Sequence, residues 1–188
     1  MPHLRKYLEQ QMPGRMPKLD PIPYDGRVPT GDKLKRVVDK LLTDRSRLAD
    51  HVIALTDVYT GTREFKDAAD AKRQMREWVG RNDKFHPHAA QHDFEAWLLP
   101  YWDDIQKLAG SNKVAPAAAP ESVNHIKPPA HHIKEIFLTG TKGKAYVKPR
   151  DAGRILRNKD LSIAISQCPE LNAFVNTILV SCGRTPIP

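Results

Sequence analysis

Apolar and polar positions divide the chain into short, alternating elements. From Asp32 to Leu42 the apolar residues Leu34, Val37, Val38, Leu41 and Leu42 recur at i, i+3, i+4, i+7 and i+8, with Lys33, Lys35, Arg36 and Lys40 between them. That is the period of an amphipathic helix. HVIALT, His51 to Thr56, is a continuous β-branched and aliphatic run, too short for a helix, and it predicts a buried central strand with Asp57 at its carboxyl end. Ala68, Ala71, Met75, Trp78 and Val79 then make the inner stripe of a second helix, which Gly80 can end by adopting a left-handed conformation. Phe85 to Gln91 is extended again, so strand, helix and strand imply a right-handed crossover and parallel pairing.

Elsewhere the pattern is punctuated by proline. Leu4 to Gln11 predicts a short helix stopped at Met12-Pro13-Gly14, followed by an extended, proline-broken stretch, LDPIPYDGRVP. Asp93 to Leu99 and Tyr101 to Leu108 read as helical, with Pro100 starting the second piece. SNKVAPAAAPES is a small-residue, proline-rich linker. Short helices are expected at His131 to Phe137 and Asp151 to Leu156, separated by TGTKGKAYVKPR, and a last helix from Pro169 carries Leu171, Phe174, Val175, Ile178 and Leu179 on one face. The fold expected is α/β, a mostly parallel sheet flanked by helices with a helical C-terminal part. It divides into a core at 1–110, a linker loop at 111–128 and a helical region at 129–188 packing on that core.

At 188 residues the chain can bury one core. Thirty Lys and Arg against 22 Asp and Glu give a net charge of +8, which suits polyanionic partners, nucleic acid among them, although many basic proteins touch none. No apolar segment is long enough to cross a bilayer and the amino terminus lacks the apolar core of a secretory signal, so a cytoplasmic protein without a membrane partner is expected. Cys168 and Cys182 fit no zinc or redox spacing and read as small buried residues.

Candidate chemistry concentrates in FHPHAAQHDFEAWLLP, Phe85 to Pro100, and at Asp57. Ligands of open α/β sheets bind outside the carboxyl ends of the strands, where Asp57 sits; the plainer role for Asp57 is to stabilise the loop that follows. If Phe94, Trp97 and Leu98 set a buried helical face, His92 and Glu95 fall three residues apart on one flank, able to act together. Asp93, at the helix start, has a capping role available. His86 and His88 share a face of the strand, and with His92 they make a zinc site conceivable, without the thiolates of a structural site; hydrogen-bonded, partly buried histidines are the alternative. Lys142, Lys144, Lys148, Arg150, Arg154 and Arg157, with Tyr146 interleaved, suit either a loop that tracks phosphates or a solvated basic face. No P-loop, GxSxG elbow or Cys/His catalytic signature is present.

ALTDVY, then FHPHAAQHDFEAWLLP, then CPELNAFVNTIL resemble, over Val52 to Val180, the bacterial domain-of-unknown-function family 4276. The resemblance implies a Toprim-like fold, the metal-dependent phosphodiester chemistry of topoisomerases, primases and phage-defence nucleases, and for some members a neighbouring ABC-type ATPase. It implies that Asp57 and Glu95 ligate Mg²⁺ while His92 orients water or a phosphate; the basic loop, through Lys142, Lys144, Lys148 and Arg150, is what its charge suggests would hold nucleic acid. The family opens with a strand ending in Glu-Gly-x-[TS]-Glu; this chain begins within the following helix, at PHLRKYLEQQ. The expectation is therefore a nuclease or phosphodiesterase that is truncated or begins further upstream, or else a non-catalytic accessory subunit that binds nucleic acid or a partner ATPase.

Overall fold

A computed structural model of the chain describes residues 2–25, 27–46, 48–59, 64–123 and 127–188. Its centre is a two-stranded parallel sheet, β1 (Val52–Asp57) beside β2 (Phe85–Ala90), in the register Val52↔Phe85 to Asp57↔Ala90. Helices surround it: α1 (Pro2–Gln11), α2 (Asp32–Thr43), α3 (Ala68–Val79), α4 (Trp102–Ala109), α5 (Pro129–Thr139), α6 (Lys148–Ile155), α7 (Ser162–Gln167) and α8 (Pro169–Ser181). The architecture is α/β, as the alternation of periods predicts.

Pleat geometry sorts the strand residues onto two faces. On one face Ala54, Val58, Phe85 and Ala89 pack with Leu34 and Val38 of α2 and Ala71, Met75 and Val79 of α3. On the other, Ala90 joins a larger cluster built from α1, α4, α5, α6, α7 and α8, with Leu98, Ile105, Ile133, Ile136 and Ile155 fully enclosed. This cluster draws on residues from both sides of the 111–128 segment. Burying one such Leu or Ile contributes about 1.5–3 kcal/mol.

The helix ends follow from local chemistry. Asp67 accepts a hydrogen bond from the Asp70 N–H at 2.7 Å and so caps α3, while Gly80 at its other end takes a positive φ of 81°. Its ψ of −176° is extended, so the chain leaves α3 straight toward β2 rather than through a left-handed turn. Pro169 opens α8 at a first-turn position, where its missing N–H costs nothing. Cys168 is buried and Cys182 partly so, both as free thiols.

Two expectations change around Pro100. Phe94–Tyr101 is a 3₁₀ helix with Pro100 inside it, and the α-helix starts only at Trp102. A 3₁₀ helix turns 120° per residue, so positions i and i+3 eclipse, and a face drawn at 100° per residue does not apply. The helix expected at Asp151 begins instead at Lys148, with Pro149 in its first turn, and the Asp151 carboxylate reaches back to accept from the Val147 N–H at 2.8 Å. α7 breaks the stretch before Cys168 that sequence patterning leaves unassigned.

β1 has one side paired. The Val52 N–H donates to the Lys84 carbonyl at 2.8 Å and the Val58 N–H to the Ala90 carbonyl at 3.1 Å, so the even-numbered residues of β1 face β2. In a parallel ladder the alternate residues Ile53, Leu55 and Asp57 direct their backbone groups to the opposite edge. The proline-broken stretch at Ile22 to Val28 shares a cavity with Leu55, Thr56 and Asp57.

Candidate acidic site at the end of the strands

Three carboxyls gather where β1 ends and the 3₁₀ helix begins. Asp57, the last residue of β1, accepts a hydrogen bond at Oδ1 from the Phe94 N–H at 3.0 Å. This contact ties the strand to the segment that carries Asp93 and Glu95, so Asp57 fulfils the plainer loop-stabilising role as well. Glu95 is fully enclosed, because the 3₁₀ helix buries almost its whole circumference in the larger cluster. Its Oε2 accepts from Lys148 Nζ at 3.0 Å and its Oε1 from the Tyr146 hydroxyl at 3.3 Å. Asp93 is buried too; its Oδ2 accepts from the Ala130 N–H at 3.2 Å, in the first turn of α5, and its Oδ1 has no hydrogen-bond partner.

The charges act on one another. Burial, countered by Lys148 and reinforced by Glu95, pushes the Asp57 carboxyl up to about 6. Burial, then the Glu95 and Asp57 charges, push Asp93 up to about 7, against the pull of the Ala130 N–H and Lys148. Burial also disfavours the ammonium of Lys148, but its hydrogen bond to Glu95 and the charges of Glu95, Asp57 and Asp93 outweigh this and raise its pKa. Tyr146 is driven upward by burial and by Glu95, and so stays a hydrogen-bond donor. Asp57 and Glu95, remote in sequence, therefore belong to one electrostatic unit. Asp93, Tyr146 and Lys148 complete it.

His92 takes a different position from the one its spacing suggests. It precedes the 3₁₀ helix with φ at 67°, an unusual left-handed conformation for a residue with a side chain, and its carbonyl accepts from the Tyr59 N–H. Burial lowers the pKa of its ring, against the pull of the Glu121 backbone. The turn at His92 swings Asp93 away from the 3₁₀ helix it precedes: Asp93 makes no side-chain cap there and serves the amino terminus of α5 instead. The other histidines have separate partners, His86 with His51 at 3.0 Å and His88 with Thr177 at 2.9 Å. Burial takes His88 down to about 4, so it is neutral near pH 7.

The basic loop divides. Lys148 is ion-paired with Glu95, and Arg150 forms a two-bond contact with the buried Asp151, each bond 2.8 Å. Lys142 Nζ donates to the Lys107 carbonyl at 2.7 Å, and Lys144 is exposed. Sequence reasoning placed Lys148 among phosphate-binding residues and missed its inward reach. The signal was the two-residue spacing of Tyr146 and Lys148 across the extended Val147, which points both to the same side.

Among the described residues no group of three or more His, Cys, Asp or Glu side chains is arranged to hold a metal ion by itself. The donors at the strand ends are carboxylate oxygens, with the Asp93 Oδ1 atom unpartnered. Hard oxygen donors of this kind suit Mg²⁺, which is commonly held by one or two carboxylates with waters and substrate phosphates completing its shell. The histidines expected to make a zinc site are engaged separately, His86 with His51 and His88 with Thr177.

Among the described residues no helix is long and apolar enough to cross a membrane. Neither a curated protein nor a solved structure matches the chain. A family model, Domain of unknown function (DUF4276), matches residues 2–179, nearly the whole chain, including β1, the acidic corner and most of α8. The chain belongs to the DUF4276 family.

Proposed function

We propose that the chain is a Toprim-like, Mg²⁺-dependent nuclease or phosphodiesterase, working in the cytoplasm of a bacterium in a defence-type system with an ABC-type ATPase as partner. The observation that carries the reading is the placement of Asp57 at the carboxyl end of a parallel strand, the place where α/β folds seat ligands, tied through the Phe94 N–H to the segment that buries Asp93 and Glu95. Three acids clustered against burial are held at a cost that a cation offsets, and perturbed acids of this kind gather at functional sites. The ATPase and the defence setting rest on the family resemblance alone.

In this reading Asp57 and Glu95 are the metal-binding carboxylates. A bound Mg²⁺ would neutralise phosphate charge and polarise water for attack. Lys148, half exposed at its side chain, would exchange its contact with Glu95 for a phosphate oxygen. Asp93, with its pKa near 7, is poised to accept or release a proton. His92, whose backbone makes the turn before the 3₁₀ helix, would orient water or a phosphate, and its share is the smallest.

A second reading is favoured by the Lys148–Glu95 ion pair itself. A carboxylate already satisfied by an ammonium and a tyrosine hydroxyl is a structural element, and the chain would then be an accessory subunit holding nucleic acid or the ATPase through Lys142, Lys144 and their neighbours. Cleavage of single-stranded and duplex DNA and RNA in Mg²⁺, compared among wild type, Asp57→Ala, Glu95→Ala and the shape-conserving Glu95→Gln, separates the two. The enzyme reading expects a loss of about 10²-fold or more in each variant. Equal activity in all four removes the site, and no activity in any favours the accessory subunit.

A further inference from the structure

Beside the acids lies a cavity of about 280 Å³, lined by Ile22, Tyr24, Arg27, Leu55, Asp57 and Phe94 among others. Its walls expose large apolar side chains: Tyr24 at 44%, Ile22 and Leu55 at 38% and Phe94 at 37%. The cavity and the acidic cluster share Asp57, and the Phe94 N–H that holds Asp57 comes from the same residue as the exposed ring. The ring of Phe94 is itself held edge-on against Trp97, centroids 5.7 Å apart, so the platform is fixed by the core beneath it. The volume falls just under the ~300 Å³ at which pockets begin to take drug-sized ligands. It suits one ring system.

We propose that this cavity receives a single unpaired nucleobase, stacked against Phe94 and Tyr24, and thereby sets the adjoining phosphodiester at Asp57. The proposal rests on the phosphodiesterase reading and extends it to substrate class: single-stranded or locally unpaired nucleic acid rather than intact duplex. The chain's net charge of +8 complements the phosphates on either side of the base. Stacking on an aromatic side chain tolerates any base, whereas a base inside a duplex is withheld from such a cavity.

The test is fluorescence anisotropy without Mg²⁺, using a labelled dT decamer, the same strand with abasic sugars throughout, and a blunt duplex of equal length. The wild-type chain should bind the dT decamer about tenfold or more tightly than the abasic strand. It should show the same preference over the duplex. Tyr24→Leu and Phe94→Leu, which keep apolar bulk and so the fold, should each reduce the preference severalfold. Equal affinity for the base-bearing and abasic strands, preference for the duplex, or unchanged preference in both variants overturns the proposal. Displacement of the decamer by no competitor other than an aromatic-rich peptide would reassign the cavity to protein docking and overturn it as well. Because no metal is present, base-dependent binding with no cleavage by the Mg²⁺-loaded chain would sink the phosphodiesterase reading alone, and cleavage without base preference would sink this inference alone.

Discussion

Burial holds the carboxyls of Asp57 and Asp93 well above the ordinary range, to about 6 and about 7. An acid whose folded pKa exceeds its unfolded value near 4 binds more protons when folded between the two values. The folded state is therefore favoured most below about pH 4 by this pair, and loses that advantage as pH rises through 6 and 7. Thermal melts in metal-free buffer should show the wild-type midpoint falling relative to that of Asp93→Asn between about pH 4 and pH 7, a comparison that cancels the opposite slope contributed by the buried His88. Asp93→Asn removes one titrating group and the repulsion it exerts on Asp57 and Glu95. A difference that does not change over that interval would contradict the assignment of a raised acid to this corner. Of these residues Asp57 and Glu95 were legible in the sequence, from strand position and motif. Asp93 was legible only as a cap, because the positive φ at His92 that redirects it leaves no trace in apolar spacing.

Among the elements, α6 and the segment before it complete the site. Lys148 sits in the first turn of α6, and Tyr146 two residues earlier, so the bond from the Val147 N–H between them to the Asp151 carboxylate steadies both donors on Glu95. Lys148→Met leaves a buried carboxylate without its cation; with the ammonium half exposed, the loss of stability should be about 1–3 kcal/mol by denaturant unfolding. Adding Glu95→Gln should restore most of it, and a double variant less stable than Lys148→Met would show that the pair is not the cause. The helices α2, α3 and α8 were legible because one face of each packs against the core, and β1 and β2 because each is a short run between turn signals, with the two clusters on its two faces. The 3₁₀ helix was not, because Glu95 to Leu99 is buried on every side and a uniformly enclosed turn has no polar face to set a period. α7 is too short to show one.

For the whole molecule, a net charge of +8 overstates the cations open to a polyanion. Lys148 is bound to Glu95 and Arg150 to Asp151. Nucleic-acid binding, read as affinity against salt, should weaken and lose about one unit of log–log slope for each of Lys142→Gln and Lys144→Gln. Arg150→Gln should instead lower thermal stability, because it strips the two-bond partner from a buried acid and leaves it Arg154 and the Val147 N–H; a full unit of slope lost there with no change in melting would reverse this division of labour. The α/β architecture and the joining of remote acids at one sheet end were within reach of sequence reasoning. The two-stranded extent of the sheet and the internal use of the basic loop depend on long-range packing.

The central claim is that these acids form one cation-binding unit, and calorimetric titration of the chain with Mg²⁺ at pH 6 in two buffers of different ionisation enthalpy tests it most directly. Near that pH Asp57 and Asp93 are partly protonated, so binding should be saturable and should release protons. Asp57→Asn should abolish both signals. No saturable heat, or binding that survives Asp57→Asn with the same proton release, would contradict the account.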